Sequence, residues 1–205
     1  KYEYCDLLIT GSGPSGLASA YAAAKNGVRV ILAEDKPRFG GSLLTSDVNI
    51  GNQTGVEWTE KIIAELKSMP NVTVKNRSQV FGYYDHNMLV MSERISDHLP
   101  KTQKYLPKQR LWYIRANEVL ISSGSIERPL VFGNNDTPGV MLSSAAKEYM
   151  KVYGVLVGKK PLIFTNNDSG YETAIEFKKN GVNPIILDTR SNPSSDIITC
   201  LLYTS

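Results

Sequence analysis

The chain has 205 residues, enough for one large domain or two small ones, and its 23 Lys+Arg against 20 Asp+Glu leave a formal net charge of +3. The basic residues are scattered, which argues against a nucleic-acid partner. No apolar run approaches the roughly 20 residues of a membrane helix, so no membrane span is expected either.

No secretory leader precedes the first apolar run, and a cytoplasmic location is the default expectation. Cys5 and Cys200 lie at opposite ends of the chain, so neither a disulfide framework nor a metal site is expected. The chain opens almost directly on a strand and has the look of a piece cut from a longer one.

Leu7–Ile9 is an apolar run of the length and branching of a buried parallel strand. It stops at Gly11, and Gly11, Gly13 and Gly16 then spell G-x-G-x-x-G. Each glycine serves a separate purpose. Gly11 allows the tight turn, Gly13 lets backbone approach a pyrophosphate, and Gly16 lets the helix pack closely. Pro14 fixes φ where a missing N–H costs nothing. An alanine-rich helix over Ser15–Lys25 stops at Asn26-Gly27, and its unpaired first amides face any anion above the glycines.

A second strand, Val28–Ala33, ends in Glu34-Asp35, where the fingerprint places an acid beside a dinucleotide ribose. An acid there favours a free 2′-hydroxyl, hence NAD or FAD over NADP. Together, Gly11, Ser12, Gly13, Pro14, Ser15, Gly16, Glu34 and Asp35 form the core of a candidate cofactor site. Lys36 follows as a group that neutralises phosphate or a nearby acid. In KPRFGGSLL, Gly40-Gly41 again permits close backbone approach, to a ligand or to another loop.

Glu57–Met69 carries a helical stripe of Trp58, Ile62, Ile63 and Leu66, with Trp58 read as core. Pro70-Asn71 ends it, and Val72–Val74 starts a strand leading toward Val80–Gly82. Residues 83–121 read as strand segments around a polar loop, a small antiparallel meander laid over the nucleotide domain. His86 and His98 have no partners at triad or metal spacing and are read as structural or surface groups.

Val119–Gly124 is expected to be a buried strand returning to the parallel sheet, with Gly124 beside the cofactor. Ser143–Tyr153 is expected to be an amphipathic helix capped by Ser143 or Ser144.

The second half then repeats the first. A shift of 154 residues pairs Ile9 with Ile163, Gly16 with Gly170, Ala20 with Ala174, Lys25–Val28 with Lys179–Val182, and Glu34 with Asp188. Gly11 and Gly13 have become Thr165 and Asn167, so the second copy is expected to keep its fold and to bind no dinucleotide in the standard way. Asn166, Asn167 and Asp168 remain able to make polar contacts there.

The predicted class is α/β: a Rossmann-like FAD/NAD(P)-binding domain over 1–158 with a β-meander at about 80–118, then the start of a second, degenerate unit over 159–190. Residues 191–205 carry no recognisable element, and the tail is expected to be unstructured or foreign to the natural chain.

Two dinucleotide folds joined by a Ser-Ser-Gly return strand resemble the two-dinucleotide-binding flavoproteins, which include the pyridine-nucleotide disulfide reductases. The redox cysteines of those reductases are absent, because Ser42, Leu43 and Leu44 follow Gly40-Gly41. The segments YYDHN, IERPLVF, NNDTPGVML and FTNNDSGYETA resemble more closely the alpha-subunit family of heterotetrameric sarcosine oxidases, a likeness that covers almost everything to about Arg190.

That resemblance implies NAD at the first glycine motif, with FAD as the alternative, Gly41 and Ser42 lining the second side of the pocket, Val80 offering backbone to the adenine, and Ser123 and Gly124 closing the pocket. It implies a beta subunit holding FAD and a small amine substrate, FMN at the interface, further small subunits, and a folate-binding domain elsewhere in the longer chain. The implied chemistry is oxidative demethylation of sarcosine to glycine, a one-carbon unit and hydrogen peroxide. No residue of the chain reads as a catalytic acid, base or nucleophile, since the chemistry would belong to flavins shared with the partner. Two other readings stand beside it. One is a self-contained FAD-dependent NAD(P)H oxidoreductase, or a subunit of a related amine, opine or cyanide-forming dehydrogenase; the other is a non-catalytic NAD-binding structural module.

Overall fold

A computed structural model describes residues 1–100 and 105–193. Cys200 and the tail beyond 193 lie outside the described residues. Contacts divide the chain into two compact units that meet at Gly124/Ser125, so the segment 125–158, grouped above with the first domain, clusters with the second.

The first unit begins with β1 (Tyr2–Thr10), α1 (Pro14–Lys25) and β2 (Val30–Ala33). Two short strands, β3 (Asn49–Ile50) and β4 (Gln53–Thr54), form a ribbon before α2 (Gly55–Ser68), and β5 (Val72–Lys75) follows. Helix α2 starts two residues earlier than its stripe suggests because Thr54 and Glu57 make a reciprocal capping box. The T-x-x-E spacing that produces it is legible in the chain.

Strands β6 (Ser78–Tyr84), β7 (Met88–Arg94) and β8 (Gln109–Ile121) complete a six-stranded sheet in the order β5-β2-β1-β8-β7-β6. Strands β5, β2, β1 and β8 run parallel, whereas β7 and β6 are antiparallel to their neighbours. The return strand expected over Val119–Gly124 is the last part of the 13-residue β8, whose earlier half pairs with the meander.

Only Asn76 and Arg77 separate β5 from β6, although these strands occupy opposite edges of the sheet. The sheet therefore curls, and the meander folds over one face of the parallel strands. The core between them joins Leu8, Ile31 and Ala33 to Leu89, Met91, Trp112 and Ile114. On the other face, α1 and α2 bury Leu17, Ala20, Ile62, Ile63 and Leu66 against Ile9, Val30 and Leu32. Each such aliphatic side chain removed from water contributes ~1.5–3 kcal/mol. Trp58 packs at the margin of this second core, as its stripe predicts. His86 and His98 are exposed.

The second unit contains α3 (Ser143–Tyr153), β9 (Leu162–Thr165), α4 (Ser169–Lys179) and β10 (Ile185–Asp188), with β9 and β10 parallel. Helix α3 has the expected limits but not the expected cap. Neither serine side chain caps it; instead the Ser144 N–H donates to the Glu127 carboxylate at 2.8 Å. A carboxylate at that end also suits the helix dipole.

The internal repeat extends to strand register. Ile9 pairs with Leu32 in the first unit and Ile163 with Ile186 in the second, the same positions after the 154-residue shift. Asn26 and Asn180 are the C-caps of α1 and α4, and Gly27 and Gly181 follow with φ of 80° and 76°.

Candidate functional site

The glycine turn lies between β1 and α1, at the carboxyl ends of the parallel strands. Gly11 has φ +98°, and a Cβ there would lie 2.4 Å from the Ser122 carbonyl oxygen, so this position requires glycine twice over. At Gly16 a Cβ would lie 2.0 Å from the Gly11 carbonyl oxygen, which is the close packing its place in the motif demands. Gly13 differs from both. A Cβ there would meet nothing within 4 Å, so open space lies over the turn where a pyrophosphate would approach.

Gly13 is also the N-cap of α1. No side chain caps this helix, and its first turn carries no acidic residue. Its positive end therefore faces that open space without an internal counter-charge.

Two further segments flank the turn. The Gly40 N–H donates to the Ser12 carbonyl oxygen at 3.0 Å and a Cβ on Gly41 would lie 2.8 Å from the Gly13 Cα, so the 40–42 segment presses against the turn. On the other side the Ser122 N–H donates to the Thr10 carbonyl oxygen at 2.8 Å and Ser123 passes above Gly11. The fold thus brings Gly11–Gly16, Gly41-Ser42 and Ser123 to one rim, with Gly124 next along the chain at φ +72°. Gly40 and Ser122 are contributors beyond the residues expected for the site. The doubled glycine at 40–41 and the doubled serine at 122–123 are the sequence signals for them.

Glu34 closes the third side. It is buried at 6% exposure and accepts three hydrogen bonds: from Ser12 N–H at 2.9 Å and Ser12 Oγ at 2.5 Å on Oε2, and from Lys36 N–H at 3.0 Å on Oε1. Burial pushes the Glu34 carboxyl up, but hydrogen bonds from Asp35, Ser12 and Lys36 outweigh it and hold the group below its ordinary range. Asp35 moves the opposite way, raised by its hydrogen bond to Glu34 and then by burial, so Glu34 gives up its proton more readily than Asp35.

Pro14, Ser15, Asp35, Lys36, Ser42 and Ser123 are exposed around this buried centre, whereas Ser12 is wholly buried. Val80 sits on β6, two residues after Ser78, whose N–H donates to the Glu34 carbonyl oxygen at 2.7 Å. Its side chain packs into the core under the meander.

The corresponding place in the second unit is filled by its own side chains. Thr165 Oγ1 donates to the Asn167 carbonyl oxygen at 2.8 Å, and Asn167 Oδ1 accepts from Ser169 N–H and Oγ. A Cβ on Gly170 would strike the Thr165 side chain at 2.7 Å, so that side chain occupies the room beside the packing glycine. Asp188, the counterpart of Glu34, is engaged by Arg190, which also reaches Asp168 at 2.8 Å.

Over residues 6–103 the sequence matches the family model of FAD dependent oxidoreductases. It is 44% identical over 93% of its length to the sarcosine oxidase alpha chain of Rhizobium meliloti, and 36% identical over 95% to that of Corynebacterium sp. strain P-1. The chain is a relative of the sarcosine oxidase alpha subunits. It spans 19% and 20% of the lengths of those two relatives. More distantly, it is 26% identical over 93% of its length to an opine oxidase subunit of Agrobacterium tumefaciens, of which it spans 38%.

In fold, the chain matches the L-proline dehydrogenase of P. horikoshii with a TM-score of 0.73 at 22% identity, over 92% of this chain and 36% of that one. It matches the thioredoxin reductase of T. acidophilum with a TM-score of 0.67 at 15% identity, over 98% and 62%. This sarcosine oxidase relative thus has the Rossmann-type α/β fold of FAD/NAD(P)-binding oxidoreductases. Among the described residues, no helix is long and apolar enough to cross a membrane, and no group of three or more His, Cys, Asp or Glu could hold a metal ion.

Proposed function

We propose that the Gly11–Gly16 turn, Glu34 and the flanking 41–42 and 123–124 segments bind the ADP half of a dinucleotide, as part of an amine-oxidising flavoenzyme. The observation that carries this reading is the pairing of open space above Gly13 with an uncapped helix N-terminus and a buried, ionised Glu34. Backbone amides of α1 hold the pyrophosphate, Glu34 accepts from the ribose, and β6 near Val80 lies beside the adenine. Lys36 adds positive charge at the rim.

NAD is the dinucleotide favoured by kinship with the sarcosine oxidase alpha subunits. FAD is the second reading, favoured by the FAD-dependent oxidoreductase match over 6–103. Flavin, when bound, supplies hydride acceptance from an amine. This chain's own residues bind and orient the nucleotide and supply no acid or base.

The wider reading is oxidative demethylation of sarcosine in the cytoplasm, in a heterotetramer whose beta subunit carries FAD and substrate, with FMN at the interface and folate taking the one-carbon unit. The second unit, with its site filled by Thr165, Asn167 and Arg190, argues against a self-contained NAD(P)H reductase. Purification followed by a visible spectrum and identification of the released nucleotide tests the assignment. A colourless protein releasing NAD supports the first reading, a yellow one releasing FAD supports the second, and release of neither, with no binding of added ADP, overturns both.

A further inference from the structure

Ser12 occupies a variable position of the glycine motif, yet it is 0% exposed and every polar atom it has is engaged. Its N–H and Oγ both donate to Glu34 Oε2, at 2.9 and 2.5 Å. Its carbonyl oxygen accepts the Gly40 N–H at 3.0 Å, and its Oγ lies 3.3 Å from the same nitrogen. A side chain so enclosed cannot reach a ligand over the turn. It acts through the groups it holds, Glu34 and the Gly40 backbone.

We infer that Ser12 is a positioning residue that locks the Glu34 carboxylate in one orientation, so that a ribose hydroxyl competes with Asp35 for the remaining acceptor position on Oε1, making the site selective for an adenosine nucleotide with its 2′-hydroxyl intact. The inference rests on the nucleotide reading proposed above and deepens it. A carboxylate offers about four acceptor positions. Ser12 takes both on Oε2 and the Lys36 N–H takes one on Oε1. The fourth is contested between Asp35 and an incoming hydroxyl.

Because the hydroxyl bond is short, charge-assisted and buried, the carboxylate cannot rotate to offer a different edge. A fixed acceptor rewards a ligand that brings a hydroxyl to the matching position over one that lacks it. Gly40 completes the arrangement by bridging the turn and the 40–42 segment, so this one serine ties three parts of the rim together.

The test compares binding of ADP and 2′-deoxy-ADP to the full chain by calorimetry, in the unsubstituted protein, S12A and S12C. Cysteine keeps nearly the volume of serine but is a weak donor. The unsubstituted protein is expected to prefer ADP by about tenfold or more, the scale of one hydrogen bond to a charged acceptor. Both variants are expected to lose most of that preference while still binding. A purely structural role would weaken both ligands alike and leave the ratio unchanged, and that result overturns the inference, as does a lack of preference in the unsubstituted protein.

A second readout needs no variant. The Ser12 hydroxyl proton is expected to exchange slowly with solvent in NMR spectra and to shift on addition of ADP, and a freely exchanging hydroxyl overturns the inference. A protein that binds neither nucleotide overturns the nucleotide reading itself, and the role of Ser12 falls with it.

Discussion

Arg190 grips Asp188 with a fork of hydrogen bonds, Nη2 to Oδ2 at 2.8 Å and Nε to Oδ1 at 3.1 Å, at the position that Glu34 holds in the first unit. The Arg190 guanidinium holds the Asp188 carboxyl down at about 2, from an ordinary 3.8. The folded state therefore binds the acid proton less readily than the unfolded chain. The stabilisation is present in full above about pH 3.8 and is lost as pH falls toward 2. Replacing Arg190 by Met is expected to return Asp188 to the ordinary carboxylate range and to move acid unfolding to higher pH. Carbon-detected NMR titration of the side-chain carboxyl, paired with an acid-unfolding curve, checks both halves of that expectation.

Gly11 and Gly13 are expected to respond in opposite ways to alanine. At Gly11 the new Cβ combines a positive φ with a clash against backbone just past β8, so Gly11→Ala should cost at least about 1–3 kcal/mol in urea unfolding. At Gly13 the Cβ enters open space, and stability should stay within about 0.5 kcal/mol. Affinity for ADP should nevertheless fall, because the methyl occupies the approach to the helix amides. Unchanged affinity in Gly13→Ala would move the phosphate elsewhere.

Leu66 is fully buried between α2 and the parallel sheet. Leu66→Ala is expected to cost about 2–5 kcal/mol, at the upper end if the two helices cannot close the space. Denaturant unfolding with an unchanged m-value is the measure.

Glu127 supplies the cap of α3 from outside the helix. Glu127→Ala is expected to destabilise the second unit by about 0.5–2 kcal/mol and to fray the first turn of α3. Hydrogen exchange at Ser144 and Ala145 reads this directly, with faster exchange confined to that turn.

Much of this arrangement is legible in the residues. The glycine motif, the acid at position 34 and the second copy at a fixed offset are local patterns, and backbone physics ties each to one geometry. Hence Gly11 makes the tight turn expected of it, at positive φ, and Thr165 and Asn167 end up holding one another rather than leaving a cradle open. Contacts between distant segments are much less legible. Nothing in the spacing of Ser12, Glu34 and Gly40 says that one hydroxyl joins them, because that depends on how β2 and the 40–42 segment pack around the turn. Arg190 is likewise silent in sequence, since an arginine two residues past a strand fits any exposed loop. The cap of α3 escapes a sequence reading for the same reason: the serines at its start are plausible caps by type, and the carboxylate that replaces them arrives from 17 residues upstream.

Strand β8 links the two faces of the first unit in a way that constrains change along the chain. Its start pairs with the meander and seats Trp112, and its end delivers Ser122 to the back of Gly11. Side chains alternate along a strand, so losing or gaining one residue anywhere between Gln109 and Ile121 would turn Trp112 outward or pull Ser122 off the glycine. The strand behaves as a ruler whose length cannot drift, and insertions in descendants of this sequence should collect in the turns beside it instead.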